Sequence, residues 1–333
     1  MRNLILFLAC FSLIPLSMSC SSPAAPEESS TPGGRTVAWF NGLGYTVDLY
    51  FMDHDSLVRN AYLTGEVPSD ILSPEKNLVA VLSSFDSRIR VFDVNRTGSE
   101  SFHVNLPSGG NPYQMCLDND GHAWVTLLLS SQVARAELTE GGDVTLFDVD
   151  PNPTSIASDG NLIFVGHGNW PDTTVSGGVS VRNSKTGEEI AWIETPDNVC
   201  FMKYFPATGK IHAVTTTYSN DGAVTVIDPN SFNAVGTVRT GGSPGAPIKT
   251  GSGFIAGDGW SSGKLFFYDE SGKVSSWNSG HASATGLAAI GDTLFVTDFK
   301  GNMVFTVLLP EMIILDTLQS GTKGPQGITV VPR

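Results

Sequence analysis

The residues able to move protons, attack carbonyls or bind metals are scattered along this chain instead of grouped. Its six histidines stand one by one, at His54, His103, His122, His167, His212 and His281. No H-E-x-x-H pair, no metal-spaced cysteine pair and no G-x-x-x-x-G-K loop occurs, so the local signatures of zinc hydrolysis and phosphate cradling are missing. His167, Trp170 and Asp172 share one glycine-bounded stretch, 166–178, which makes it the best single candidate for a functional loop. A turn role for a histidine between two glycines is the plainer alternative. His122 and His212 fall in runs that read as strands, where a hydrogen-bonded interior histidine is expected. Asp118-Asn-Asp-Gly121 starts like a calcium loop but lacks the downstream bidentate glutamate, so it is predicted as a turn. Cys116 and Cys200 lie in the apolar runs YQMCL and NVCFM and read as buried thiols. Cys10 and Cys20 both lie ahead of the body, so no disulfide framework is possible. No catalytic residue, metal or cofactor is predicted.

The elements that must position these side chains are short runs of Val, Ile, Phe and Thr, separated by Gly, Asn, Asp, Ser and Pro clusters, with no long helical period among them. One apolar strand, entered through a proline or a small residue, recurs at Pro68–Leu72, Pro112–Leu117, Pro153–Ala157, Asn198–Met202, Gly245–Lys249, Ala284–Ala288 and Pro325–Thr329. Seven such anchors, about 40 residues apart, are the spacing of propeller blades. A second strand follows each of the first six (Leu78–Leu82, His122–Leu127, Leu162–Val165, Ile211–Thr215, Gly253–Ala256, Thr293–Thr297), and a third strand ends in Asp or Asn in several units, as at Asp93, Asn183 and Asp228. The last anchor has no second strand after it, while Thr36–Phe40 looks like a second strand lacking its first. The expected fold is all-β, a seven-bladed β-propeller of four-stranded blades, with the ring closed by strands from both termini.

In such a ring the second-to-third-strand loops and the links between blades share one end, the mouth. The loops carry Tyr45, Phe85, Trp170, Tyr218, Trp260 and Phe299, with only Leu127–Ser131 lacking an aromatic. Two roles fit these rings: contact with a ligand, for which rigid aromatics are suited, or filling of the gap between blades. With His167 and Asp172 they are the candidate ligand-binding residues. The anchors place Asp70, Gln114, Ser155, Asn198, Lys249, Thr285 and Gln326 near the axial channel, a polar ring able to hold a small solute or simply water.

Val224-Thr-Val-Ile-Asp228 and Ile89-Arg-Val-Phe-Asp93 resemble the third strands of YVTN-type bacterial propellers, a resemblance that spans the body through degenerate repeats. One blade, Asp118-Asn-Asp-Gly-His-Ala-Trp-Val-Thr126, is more similar to the repeat of streptogramin-lyase-type propellers. That family uses a histidine base with a carboxylate and a divalent metal. The only late histidine here, His281, has no glutamate beside it, so the resemblance implies the fold and not the lyase activity.

Ahead of the body, Arg2 and the apolar run Leu4–Leu16 have the layout of a signal peptide over residues 1–19. The run is too short to span a bilayer. Leu16-Ser-Met-Ser-Cys20 resembles a bacterial lipobox, with Ser17 where an aliphatic residue is usual; it implies lipidation at Cys20 and, with Ser21 next, outer-membrane sorting. The alternative is a periplasmic or secreted protein. Residues 20–34 read as a flexible tether of Ser, Pro, Ala, Glu, Thr and Gly, and residues 35–333 as the propeller. A formal net charge of -14 argues against nucleic acid and against electrostatic docking on anionic lipid. The expectation is therefore a lipid-anchored envelope protein that binds or scaffolds a protein, peptide or glycan without catalysis, touching the membrane only through Cys20. The rival is a lyase- or hydrolase-like propeller enzyme whose groups converge from several blades.

Overall fold

The structure is a computed structural model describing residues 34–169, 174, 177–216, 220–251, 253–259 and 261–333. They form seven four-stranded antiparallel sheets arranged as a propeller, with one short 3-10 turn at Met52–His54. All seven predicted anchors are the innermost strands of their blades. Blade 1 takes its inner strand, Pro325–Pro332, from the C-terminus and its other three, Arg35–Asn41, Thr46–Phe51 and Ser56–Leu63, from the start of the body. Inner strands of blades 2 to 7 are Pro68–Leu72, Pro112–Leu117, Pro153–Ser158, Val199–Phe205, Ile248–Thr250 and Gly286–Ile290.

Second strands are buried on both faces, as in Leu78–Ser83 and Ala123–Leu127, because each lies in mid-blade with a neighbouring blade on either side. Their apolar residues therefore run without the alternation of a half-exposed strand. Fourth strands such as Asn233–Arg239 and Ile313–Gln319 are almost wholly exposed, and both carry a register shift against the third strand. Such a shift bends a bare edge away from further pairing.

Turn chemistry accounts for the repeat. Asp93, Asn183, Asp228 and Asp269 each accept, through the side chain, the backbone N–H two residues on, at 2.8–3.0 Å. These Asx turns send the chain from the third strand to the fourth. Asp118 does more: Oδ1 accepts from the N–H groups of Asp120 and His122, and Oδ2 from the indole of Trp124 at 3.0 Å. The D-x-x-G-x-x-W spacing thus joins a turn to a fully buried tryptophan. His122 lies in that turn, one residue before the strand begins at Ala123, and not within the strand as predicted.

Seven hydrophobic clusters fill the seven interfaces between blades. Phe40 and Leu49 meet Val79 and Phe92 between blades 1 and 2, while Val37 and Trp39 meet Phe295 and Val304 between blades 7 and 1. Each large apolar side chain buried this way stabilises the ring by about 1.5–3 kcal/mol. Closure is antiparallel, with Thr36 opposite Val331 and Trp39 opposite Ile328. It is reinforced where the Trp39 indole donates to Ser320 Oγ and Asp48 accepts the Gly321 N–H.

Candidate functional site: the mouth and the axial channel

Hydroxyls at the mouth ends of inner strands, and just past the second strand of blade 5 at Thr216, bind one blade to the next. Ser69 Oγ donates to the Pro112 carbonyl at 3.2 Å, Thr154 to that of Val199, Thr216 to that of Pro244 and Thr285 to that of Pro325 at 3.2 Å. Several of the predicted channel residues are absorbed in the same work. Ser155 is fully buried between blades, and the Asn198 amide bonds the Thr216 carbonyl and the Asn169 N–H. Thr285 meets Thr297, and the Gln326 carbonyl accepts from Thr297 Oγ1 at 2.7 Å. Lys249 bonds the carbonyl of Gly251, beside its own hairpin, and lies over Phe254.

Two of the predicted channel residues reach beyond their own blade. Gln114 of blade 3 donates Nε2 to the Cys200 carbonyl of blade 5 at 2.8 Å, passing blade 4. Asp70 of blade 2 accepts the Ile71 and Met115 N–H groups, both at 2.8 Å. Burial raises its pKa to about 6, against the lowering effect of those two N–H groups and of Lys203. Lys203, on the inner strand of blade 5, is the channel residue that the anchor pattern missed, since it lies beyond the quoted anchor Asn198–Met202. A lone charge in the apolar strand VCFMKYF was the available signal.

At the mouth, His167, Asp258 and Asp298 are held inside the protein, while Glu66 and Asp221 are exposed. His167 is fully buried, Nδ1 facing the Pro151 carbonyl and Nε2 the Ser180 hydroxyl, each at 3.0 Å, with its ring against Trp192; burial lowers its pKa. Asp258 accepts from the Ser243 N–H and the Ser262 hydroxyl. Asp298 accepts from the Ser283 hydroxyl and from the N–H groups of Ala282 and Gly301. His281 lies 3.5 Å from Asp298 with its ring stacked on Phe305. Residues 241–245 spell G-x-S-x-G, but a strand and not a helix follows, so the strand-turn-helix of a nucleophile elbow is absent there.

The rim is apolar over one sector. Leu43 and Tyr45 in the blade 1 loop, Leu63 and Val67 at the link to blade 2, Phe85 in the blade 2 loop, and Tyr113 and Leu129 of blade 3 are all exposed, Phe85 by 73% and Leu129 by 55%. The remaining large exposed apolar residues among those described lie on outer strands, as at Ile190 and Ile313. Phe299 is half-buried. Trp170, Asp172, Tyr218 and Trp260 lie outside the described residues.

Away from the mouth, Asp118, Asp120 and His122 bring potential metal-ligating atoms within 4.8 Å of one another. Arg135 lies 3.3 Å from His122 Nε2. A guanidinium only donates, so Nε2 accepts there, and the Nδ1 hydrogen turns to Asp118. The cluster is thereby satisfied as a turn.

No protein-family model matches the chain, and no curated protein sequence does. Solved structures do. A hydrazine synthase chain of Kuenenia stuttgartiensis superposes with a TM-score of 0.68 at 14% identity, over 79% of this chain and 89% of that one. A streptogramin B lyase gives 0.63 at 14%, over 89% and 91%, and a chain of a nidogen/laminin complex 0.56 at 12%, over 90% and 98%. At these identities the likeness is one of fold: this chain is a β-propeller of the kind found in streptogramin B lyase.

Proposed function

We propose that this chain is a non-enzymatic binding or scaffold propeller of the bacterial envelope, tethered through a lipid on Cys20, that presents the apolar rim of blades 1 to 3 to a protein, peptide or glycan. The observation that carries this reading is the division of labour at the mouth. His167, Asp258 and Asp298 are committed to hydrogen bonds within the fold, whereas apolar side chains of three consecutive blades are left in water. A catalytic site needs the reverse, a base within reach of a cavity and free to take a proton. An exposed apolar sector of one end of a protein is the usual mark of a recognition surface. The fold's own range is consistent with this, since one similar structure belongs to a nidogen/laminin complex and another to a lyase.

The test is a thermal-shift and calorimetric screen of the full chain against oligosaccharides, peptides and divalent metals, repeated with Phe85→Ala and Leu129→Ala. One organic class should bind saturably, with affinity falling at least about tenfold in the variants, the loss expected when a hot-spot side chain is truncated. A ligand whose binding ignores both substitutions, or one that is consumed, refutes the reading. Metabolic labelling with a radioactive fatty acid should mark the wild type and not Cys20→Ser; label in both removes the anchor.

A further inference from the structure

The end of the ring opposite the mouth carries a cavity between blades 2 and 3. It is built from the first-to-second-strand turns of both blades, which hold Glu75 and Asp120, from the third-to-fourth-strand turn of blade 3, which holds Glu137, and from Phe102 at the start of the blade 2 outer strand. Its volume is about 360 Å3, within the range of roughly 300–1,000 Å3 usual for small-molecule sites. The turns are held by hydrogen bonds of their own. Ser73 Oγ donates to the Leu78 carbonyl at 2.9 Å, Asp118 accepts the Asp120 and His122 N–H groups, and the Glu137 N–H donates to the Asp143 carbonyl at 3.0 Å. The cavity is therefore formed by the fold itself, before any ligand arrives.

Two chemistries line it. Leu78, Phe102 and Leu138 form an apolar wall, each partly buried against the core between blades 2 and 3. Glu75, Asp120 and Glu137 bring carboxylates, and none of these three side chains has a hydrogen bond or ion pair among the described residues. No lysine or arginine lines the cavity. The nearby Arg135 meets His122 Nε2 and donates to the Lys185 carbonyl of blade 4. One Asp120 oxygen also lies within 4.8 Å of an Asp118 oxygen. Like charges at that separation repel, and a positive group among them lowers the energy. A metal ion would gain nothing from the leucines and the phenylalanine, whereas an organic cation uses both walls.

We propose that this cavity binds a small organic cation, an ammonium or guanidinium head on a short apolar stem. The head sits among Glu75, Asp120 and Glu137, and the stem lies against Leu78, Phe102 and Leu138. This goes beyond recognition at the rim and does not depend on it.

The full chain would be titrated calorimetrically, at low salt, with hexylammonium chloride, butylammonium chloride and sodium hexanoate. Saturable binding of hexylammonium is expected, with the butyl ion at least about tenfold weaker, since each buried methylene is worth about fourfold in affinity. Hexanoate should not bind. The double variant Glu75→Gln and Glu137→Gln should weaken hexylammonium at least about fivefold, the sum of two partly screened ion pairs, and high salt should weaken it in the wild type. Neither glutamate side chain bonds within the fold, so urea unfolding should find the double variant as stable as the wild type. Phe85→Ala, at the rim, should leave the binding unchanged. No saturable binding of hexylammonium, equal binding of hexanoate, or binding unmoved by the double substitution overturns the proposal. Loss of binding in Phe85→Ala would place the amine at the rim and overturns it as well.

Discussion

Asp70 should make its own signature in the pH dependence of stability, separable from every other titrating group by comparing the wild type with Asp70→Ala. In the folded chain burial holds its pKa at about 6, against an ordinary 3.8. A carboxyl raised on folding binds more protons in the native state than in the unfolded one between those two values, so its contribution is most favourable below about pH 4 and is lost as pH rises through about 6. At about 1.36 kcal/mol per pH unit, the change across that window is ~3 kcal/mol. Removing the side chain also strands the Ile71 and Met115 N–H groups, at a cost of about 1–3 kcal/mol each, but that part does not vary with pH. The raw curve of the wild type will not show the effect cleanly. His167 and His212 are both lowered by burial, which makes stability rise with pH as each is relieved of its proton. Both chains keep these histidines, so subtraction removes them. Urea unfolding from pH 4.5 to 8 should give a wild-type advantage that shrinks as pH rises and levels off above about 7. Lys203→Met, which removes the cation that lowers the Asp70 pKa, should move this window upward. A difference that is flat, or that grows with pH, refutes the placement of Asp70 in a desolvated channel.

Asp118→Asn keeps shape but turns an amide NH2 towards a group that must donate, either the Trp124 indole or the turn N–H groups. It should cost about 2–4 kcal/mol in urea unfolding followed by tryptophan fluorescence, and the wild-type Tm should ignore EDTA; a Tm lowered by chelation would instead make the Asp118, Asp120 and His122 cluster a metal site. Deleting residues 325–333 removes the inner strand of blade 1 and bares the edge of Arg35–Asn41. The shortened chain should lose its single cooperative unfolding transition and self-associate in sedimentation, whereas a monomer with unchanged Tm would show that the seam does not hold the ring.

Periodicity and turn residues were enough to read the ring from the sequence, because both are local. A prolyl or small-residue approach, an unbroken apolar second strand and an Asx turn closing the third repeat in blade after blade. The half-blade at each end then requires closure, and Pro325–Pro332 does pair with Arg35–Asn41. The site was less legible, because it depends on which groups are already used. Ser155 and Thr285 look like channel polar groups in the sequence, yet both spend their hydroxyls within the ring. His167 looks like a loop histidine but ends a buried strand with both nitrogens engaged. Leu43 and Leu129 are ordinary loop leucines until the ring sets them beside Tyr45 and Phe85 on one sector of the rim. Local sequence thus determined strands, turns and blade number. Tertiary structure alone decided which groups meet across the ring, because Gln114 of blade 3 and the Cys200 carbonyl of blade 5 are brought together only when the blades assemble.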